Sequence, residues 1–106
     1  MPYGYIGTMK TKPDERDAVV SILLDGIDAL RAAGCHAYIV SLSNTDGDTI
    51  HVTEVWQTKG HHEASLQLPE VKASIAKAMP MLTGEFTREE LNVVGGLGLS
   101  PASNAR

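Results

Sequence analysis

Bulky and small side chains alternate over residues 3–10, which predicts a strand with Tyr3, Tyr5, Gly7 and Met9 on one face and Gly4, Ile6, Thr8 and Lys10 on the other. Glycines weaken a strand, so Gly4 and Gly7 leave two readings: a tolerated edge, or close approach of another backbone or a ligand. Thr11 to Asp14 read as a turn and helix entry, with Pro13 suited to the first helical turn and Asp14 and Glu15 to its positive end. Apolar positions then recur at Val19/Val20, Leu23, Ile27 and Leu30, the spacing of one amphipathic helix. Gly26 inside it costs ~1 kcal/mol against alanine, and Gly34 closes it as a left-handed cap.

Residues 36–43 read as a second strand, with His36, Tyr38, Val40 and Leu42 on one face. Asp46-Gly47 supplies the positive φ of a tight reversal, so a third strand over 49–56 should pair antiparallel with the second. On that third strand Ile50, Val52, Glu54 and Trp56 share a face, and His51, Thr53 and Val55 take the other. The chain then turns into a short helix that runs to Leu66. Pro69 opens another helix with Val71, Ile75, Ala78 and Leu82 inward; Pro80 ends or kinks it near Ala78, and Thr83-Gly84 closes it. In residues 85–96, Thr87 and Glu90 resemble a capping box. No amphipathic run follows them, and the expectation is a final strand interrupted near Glu89.

Strand, helix, strand, strand, helix pair, strand is the split βαβ, ferredoxin-like order, an α+β fold with helices on one face of an antiparallel sheet. The expected domain is 1–98, with a loose tail over 99–106. A one-layer sheet leaves its other face uncovered, and a second copy is the simplest cover, so a homodimer is expected.

Bulk properties narrow the partners. The chain has 106 residues, a formal charge of −4 and one cysteine. No basic cluster stands out, which argues against nucleic acid as a partner. No apolar run approaches the roughly 20 residues that span a bilayer, and the first ten residues do not read as a secretory leader. Cys35 has no intrachain disulfide partner, and these features together predict a cytoplasmic setting.

Candidate chemistry gathers at one strand end, where Glu54 and Trp56 stand side by side and His61 and His62 follow. His51 and Glu54 face opposite sides, and His61 and His62 point about 100° apart on a helix, so no metal site is expected. Cys35 beside His36 is better explained as a small buried residue than as a nucleophile. Gly95 to Gly98 lacks the following helix that a phosphate loop needs. For Trp56 and Glu54, ordinary packing between sheet and helices competes with a pocket: Trp56 as aromatic wall, Glu54 and one histidine as proton-moving groups.

These residues resemble the antibiotic biosynthesis monooxygenase family, in particular its small quinol monooxygenases. The likeness covers roughly residues 3–98. It is most specific over TEVWQTKGHHEASLQLPEVKASIAKAMPMLTG, with its E-x-W strand end and S-L-x-x-P helix end. The resemblance implies a dimeric α/β barrel that oxidises a small aromatic quinol or polyphenol with dioxygen, using neither metal nor other cofactor. Fitted to that chemistry, His62 and Glu54 are assigned as catalytic residues, with Trp56, Tyr38 and His61 against the substrate. Many family members carry a histidine where this chain has Ser65, and His62 lies one turn earlier. Haem-degrading relatives place a histidine where this chain has Leu66 and an asparagine in the first strand, which lacks one here; haem degradation is not implied. A cofactor-free isomerase of a small oxygenated metabolite and a non-catalytic ligand-binding or stress-response barrel are the alternatives.

Overall fold

Four strands form one antiparallel sheet in a computed structural model that describes residues 2–99. They are β1 (Tyr3–Thr11), β2 (Cys35–Leu42), β3 (Thr49–Trp56) and β4 (Leu82–Asn92), in the order β2-β3-β1-β4. Helices α1 (Arg16–Asp25), α2 (Ile27–Ala32), α3 (Lys59–Ser65) and α4 (Pro69–Ala78) complete a ferredoxin-like α+β fold. Val19 of α1 is fully buried on Ile50 and Val52 of β3, with Met9, Leu23 and Val40 around them. The alternation expected on β3 is therefore the one that builds the core. The expected tail over 99–106 lies outside the described residues, apart from Leu99.

β1 is not an edge strand; it pairs with β3 on one side and β4 on the other. A Cβ on Gly7 would stand 2.5 Å from the Thr87 carbonyl oxygen, and one on Gly4 would stand 2.9 Å from Val93 Cγ2. Close approach by a neighbouring strand is thus the reason for glycine in β1.

Local structure departs from expectation in six places. Gly47 does not take the positive φ expected of it, and the reversal between β2 and β3 runs through residues 43–48 instead. The expected turn forms at Pro13 and Asp14, with Asp14 at φ 67°, a left-handed conformation that aspartate tolerates, but helix α1 starts only at Arg16, beyond the residues expected in its first turn. Gly26 splits the expected single helix into α1 and α2, although a Cβ there would meet nothing within 4 Å; the break reflects the low helix propensity of glycine. β2 carries a bulge between Cys35 and Ala37, which makes Cys35 rather than His36 the partner of Trp56. After Pro80 the chain enters β4 at Leu82, so Thr83 and Gly84 belong to the strand rather than to a helix end. β4 then continues through Glu89 to Asn92 without interruption. Its pairing with β1 overrides the local capping pattern, and Thr87 Oγ1 hydrogen-bonds Thr8 Oγ1 across the pair at 2.7 Å.

Candidate active site

Register assembles the site. Tyr5, Glu54 and Tyr38 lie in one row across β1, β3 and β2, and Tyr3, Trp56 and Cys35 lie in the next. Directly opposed residues point to the same face, so these side chains all meet the helices. Trp56 is only 1% exposed, and its Nε1 donates to Glu54 Oε1 at 2.8 Å. One strand end thus holds an indole and a carboxyl group as a hydrogen-bonded unit.

Thr58 starts α3 immediately afterwards. Its backbone is extended, and its Oγ1 accepts from the His61 amide at 3.1 Å, an N-cap. The helix then carries His62 and Ser65, one turn apart, over the end of the sheet, where both are buried. The His62 ring centroid lies 4.8 Å from Tyr5, 5.4 Å from Tyr3 and 5.4 Å from Trp56, the last edge-on at 67°. Three aromatic rings hold the imidazole. Its Nε2 is 3.9 Å from Glu54 Oε1, beyond hydrogen-bond length. Its buried Nδ1 has no hydrogen-bond partner among the described residues.

Burial penalises charge and sets the protonation of this group. It lowers the His62 pKa below the ordinary value, and it raises that of Glu54 although the Trp56 hydrogen bond pulls the other way. At neutral pH His62 is a neutral imidazole, so its contact with Glu54 is not an ion pair. In the unfolded chain the same histidine takes up a proton near pH 6.5. Below that pH the unfolded state binds more protons than the native state, so this group costs stability as pH falls through 6.5 towards the lowered native value. The raised pKa of Glu54 acts oppositely, costing stability as pH rises above its ordinary range. The two contributions separate in a His62→Gln variant. Urea midpoints measured from pH 7.5 to 5.5 should fall more steeply for the wild type than for the variant, and parallel curves would refute the assignment.

Between sheet and helices lies a cavity of about 170 Å³. Trp56, Glu54 and Tyr38 line it from the sheet, His62 and Ser65 from α3, and Leu30 and Val71 from α2 and α4. Ile75, expected inward, is 45% exposed at its rim. A second cavity of about 420 Å³ lies on the other side of His62, lined by Tyr3, Tyr5, Lys59, Arg88 and Glu90 among others. There the Tyr3 hydroxyl donates to Glu90 Oε2 at 2.8 Å, and Lys59 Nζ lies 2.9 Å from the same oxygen.

The structure therefore brings together His62, Glu54, Trp56 and Tyr38. It does not bring in His61, which lines neither cavity: its Nδ1 is 2.6 Å from Thr58 Oγ1, and its ring packs against Gly34, leaving no room for a Cβ there. Burial, then Glu54, pushes the Cys35 thiol up to about 11, and it donates to the Ala37 carbonyl at 3.2 Å, so it is no thiolate nucleophile. Tyr3 and Tyr5 around His62 escaped the sequence reading, as did Glu70 and Ser74 on the cavity wall. The shared face of Tyr3 and Tyr5 was visible in the alternation; their register against Glu54 and Trp56 was not. Among the described residues, no group of three or more His, Cys, Asp or Glu is placed to hold a metal ion, and no helix is long and apolar enough to cross a membrane.

The family model for antibiotic biosynthesis monooxygenases matches residues 2–77, and the chain belongs to that family. A provisionally named antibiotic biosynthesis monooxygenase of Chloroflexus aurantiacus J-10-fl superposes with a TM-score of 0.85 at 38% identity, over 94% of this chain and 100% of that one. One from Caulobacter crescentus CB15, also provisionally named, gives 0.81 at 23% identity over 89% and 91%. A Mycobacterium tuberculosis protein gives 0.78 at 21% over 92% and 99%. The last two bear on the fold alone. Among curated proteins none matches the sequence.

Proposed function

We propose that this chain is a cofactor-independent monooxygenase that oxidises a quinol or aromatic polyphenol with dioxygen. The observation that carries the reading is the buried His62 imidazole, its ring centroid 5.4 Å from Trp56, on the wall of the cavity that Trp56 also lines. A neutral imidazole can accept a phenolic proton, and Trp56 supplies an aromatic wall to the same cavity. The phenolate is electron-rich enough to give one electron to dioxygen. Recombination of the two radicals forms a C–O bond, and the proton taken up by His62 passes to the peroxide to give a hydroperoxide. Loss of water then leaves an oxygenated quinone: quinol plus dioxygen gives hydroxyquinone plus water, with all four electrons drawn from the substrate. Glu54, tied to the Trp56 indole, orients the site or acts as the alternative base, and Tyr38 adds a hydroxyl to the wall. The single thiol agrees with a cytoplasmic setting.

Oxygen uptake by chelator-treated protein over a panel of hydroquinones tests this, with an enzyme-free blank for autoxidation. Uptake that scales with protein is expected. A folded protein that consumes no oxygen with any of them sinks the reading and leaves the isomerase or ligand-binding alternatives.

The working form in this reading is a homodimer closed through the sheet face away from the helices. Ile39 and Leu91 project there and are exposed in the single chain, and an apolar sheet face favours a partner. Sedimentation equilibrium should give twice the chain mass, and the double variant Ile39→Lys with Leu91→Lys should give monomer. Unchanged mass in that variant would place the interface elsewhere.

A further inference from the structure

The dimensions and charge of the cavity beside Trp56 narrow what it can hold. An engineered cavity of about 150 Å³ with aliphatic and aromatic walls takes up benzene, whereas sites that enclose drug-sized ligands run from about 300 to 1,000 Å³. At about 170 Å³ this cavity belongs with the first. Trp56, His62, Glu54 and Tyr38 are on its wall, together with the aliphatic side chains of Leu30 and Val71.

The wall also lacks a cation. It contains two carboxyl groups, Glu54 and Glu70, and neither lysine nor arginine. The nearby cations Lys59 and Arg88 line the other cavity, beyond His62, and Lys59 is paired with Glu90. His62 is neutral at pH 7. A carboxylate brought into this space would lose its hydration and find no counter-ion, which is costly for any buried charge.

We propose that the substrate is a single-ring quinol bearing no anionic group, and that fused-ring quinols and carboxylated rings bind poorly. The inference rests on the functional reading above for the quinol itself, while size and charge selection follow from the cavity wall.

Anaerobic titration calorimetry on the wild-type protein tests it without requiring turnover. The probes are methylhydroquinone, 1,4-naphthohydroquinone and 2,5-dihydroxybenzoate. Methylhydroquinone is expected to bind at least about tenfold more tightly than either of the others. Leu30→Ala should recover naphthohydroquinone by widening the wall, and Glu70→Lys should recover dihydroxybenzoate by supplying a rim cation. Equal or tighter binding of naphthohydroquinone by the wild type would overturn the size limit; equal binding of dihydroxybenzoate would overturn the charge rule. Failure of all three to bind folded protein would overturn the proposal as a whole. Methylhydroquinone binding in the expected order, without oxygen uptake when air is admitted, would support the selectivity and refute the oxidation instead.

Discussion

Replacing His62 with glutamine is expected to lower quinol-dependent oxygen uptake by about 10²–10⁴-fold, the usual contribution of a positioned acid–base group. Glutamine is chosen because it is close in size and polar, and because the three rings around His62 leave a cavity if the side chain is cut to alanine. The loss has a distinguishing signature. If His62 takes the phenolic proton, a quinol acidic enough to be ionised already at the assay pH needs no base. The gap between wild type and variant should then shrink as the substrate's pKa falls. A uniform loss across substrates of different acidity would point to packing instead, and an unchanged rate would remove His62 from the chemistry. Circular dichroism and the urea midpoint at pH 7.5 establish that the variant is folded.

The second large effect is on stability. Trp56→Ala should destabilise the chain by about 3–5 kcal/mol, the range for deleting a buried aromatic side chain. Trp56 is the largest of the fully buried side chains, and its removal also deprives Glu54 of its indole donor. Against a total stability of roughly 5–15 kcal/mol for a domain, that is enough to leave a substantial unfolded fraction. Trp56→Phe keeps an aromatic ring and loses the donor, so its cost should be smaller, about 1–3 kcal/mol. Urea denaturation of the three proteins ranks them. An alanine variant as stable as the phenylalanine one would mean that the ring contributes little to packing and that Trp56 is present for the ligand alone.

Much of this arrangement was legible in the sequence because it depends on alternation. The parity of β3 put Glu54 and Trp56 on the core face, and Pro69 and Pro80 bracketed α4; the β2–β3 hairpin was also expected, though Gly47 lacks the positive φ on which that reading rested. Long-range pairing was less legible. Nothing local reveals that β4 lies beside β1, so Gly7 could be an edge residue or a contact, and Thr87 to Glu90 could imitate a helix start. The bulge at β2 also has no local signature, yet it moves Cys35 into the row of Trp56. Of the two adjacent histidines, helix geometry alone could say only that they diverge. The N-cap at Thr58 decides between them: it engages the His61 amide and ring, and one residue further along the helix His62 turns inward.

The strand order has a consequence during synthesis. β1 is made first and sits second from the edge of the finished sheet, but its outer neighbour, β4, is made last, with Tyr3 opposite Asn92. At roughly 5–20 residues per second, a β1 that has left the ribosome waits on the order of 5–15 s for that partner. During that interval its backbone is an open edge, and the hydroxyl of Tyr3 lacks Glu90. Chaperone demand and co-translational aggregation for this chain should therefore depend on how quickly its last strand emerges, more than on the stability of the finished fold.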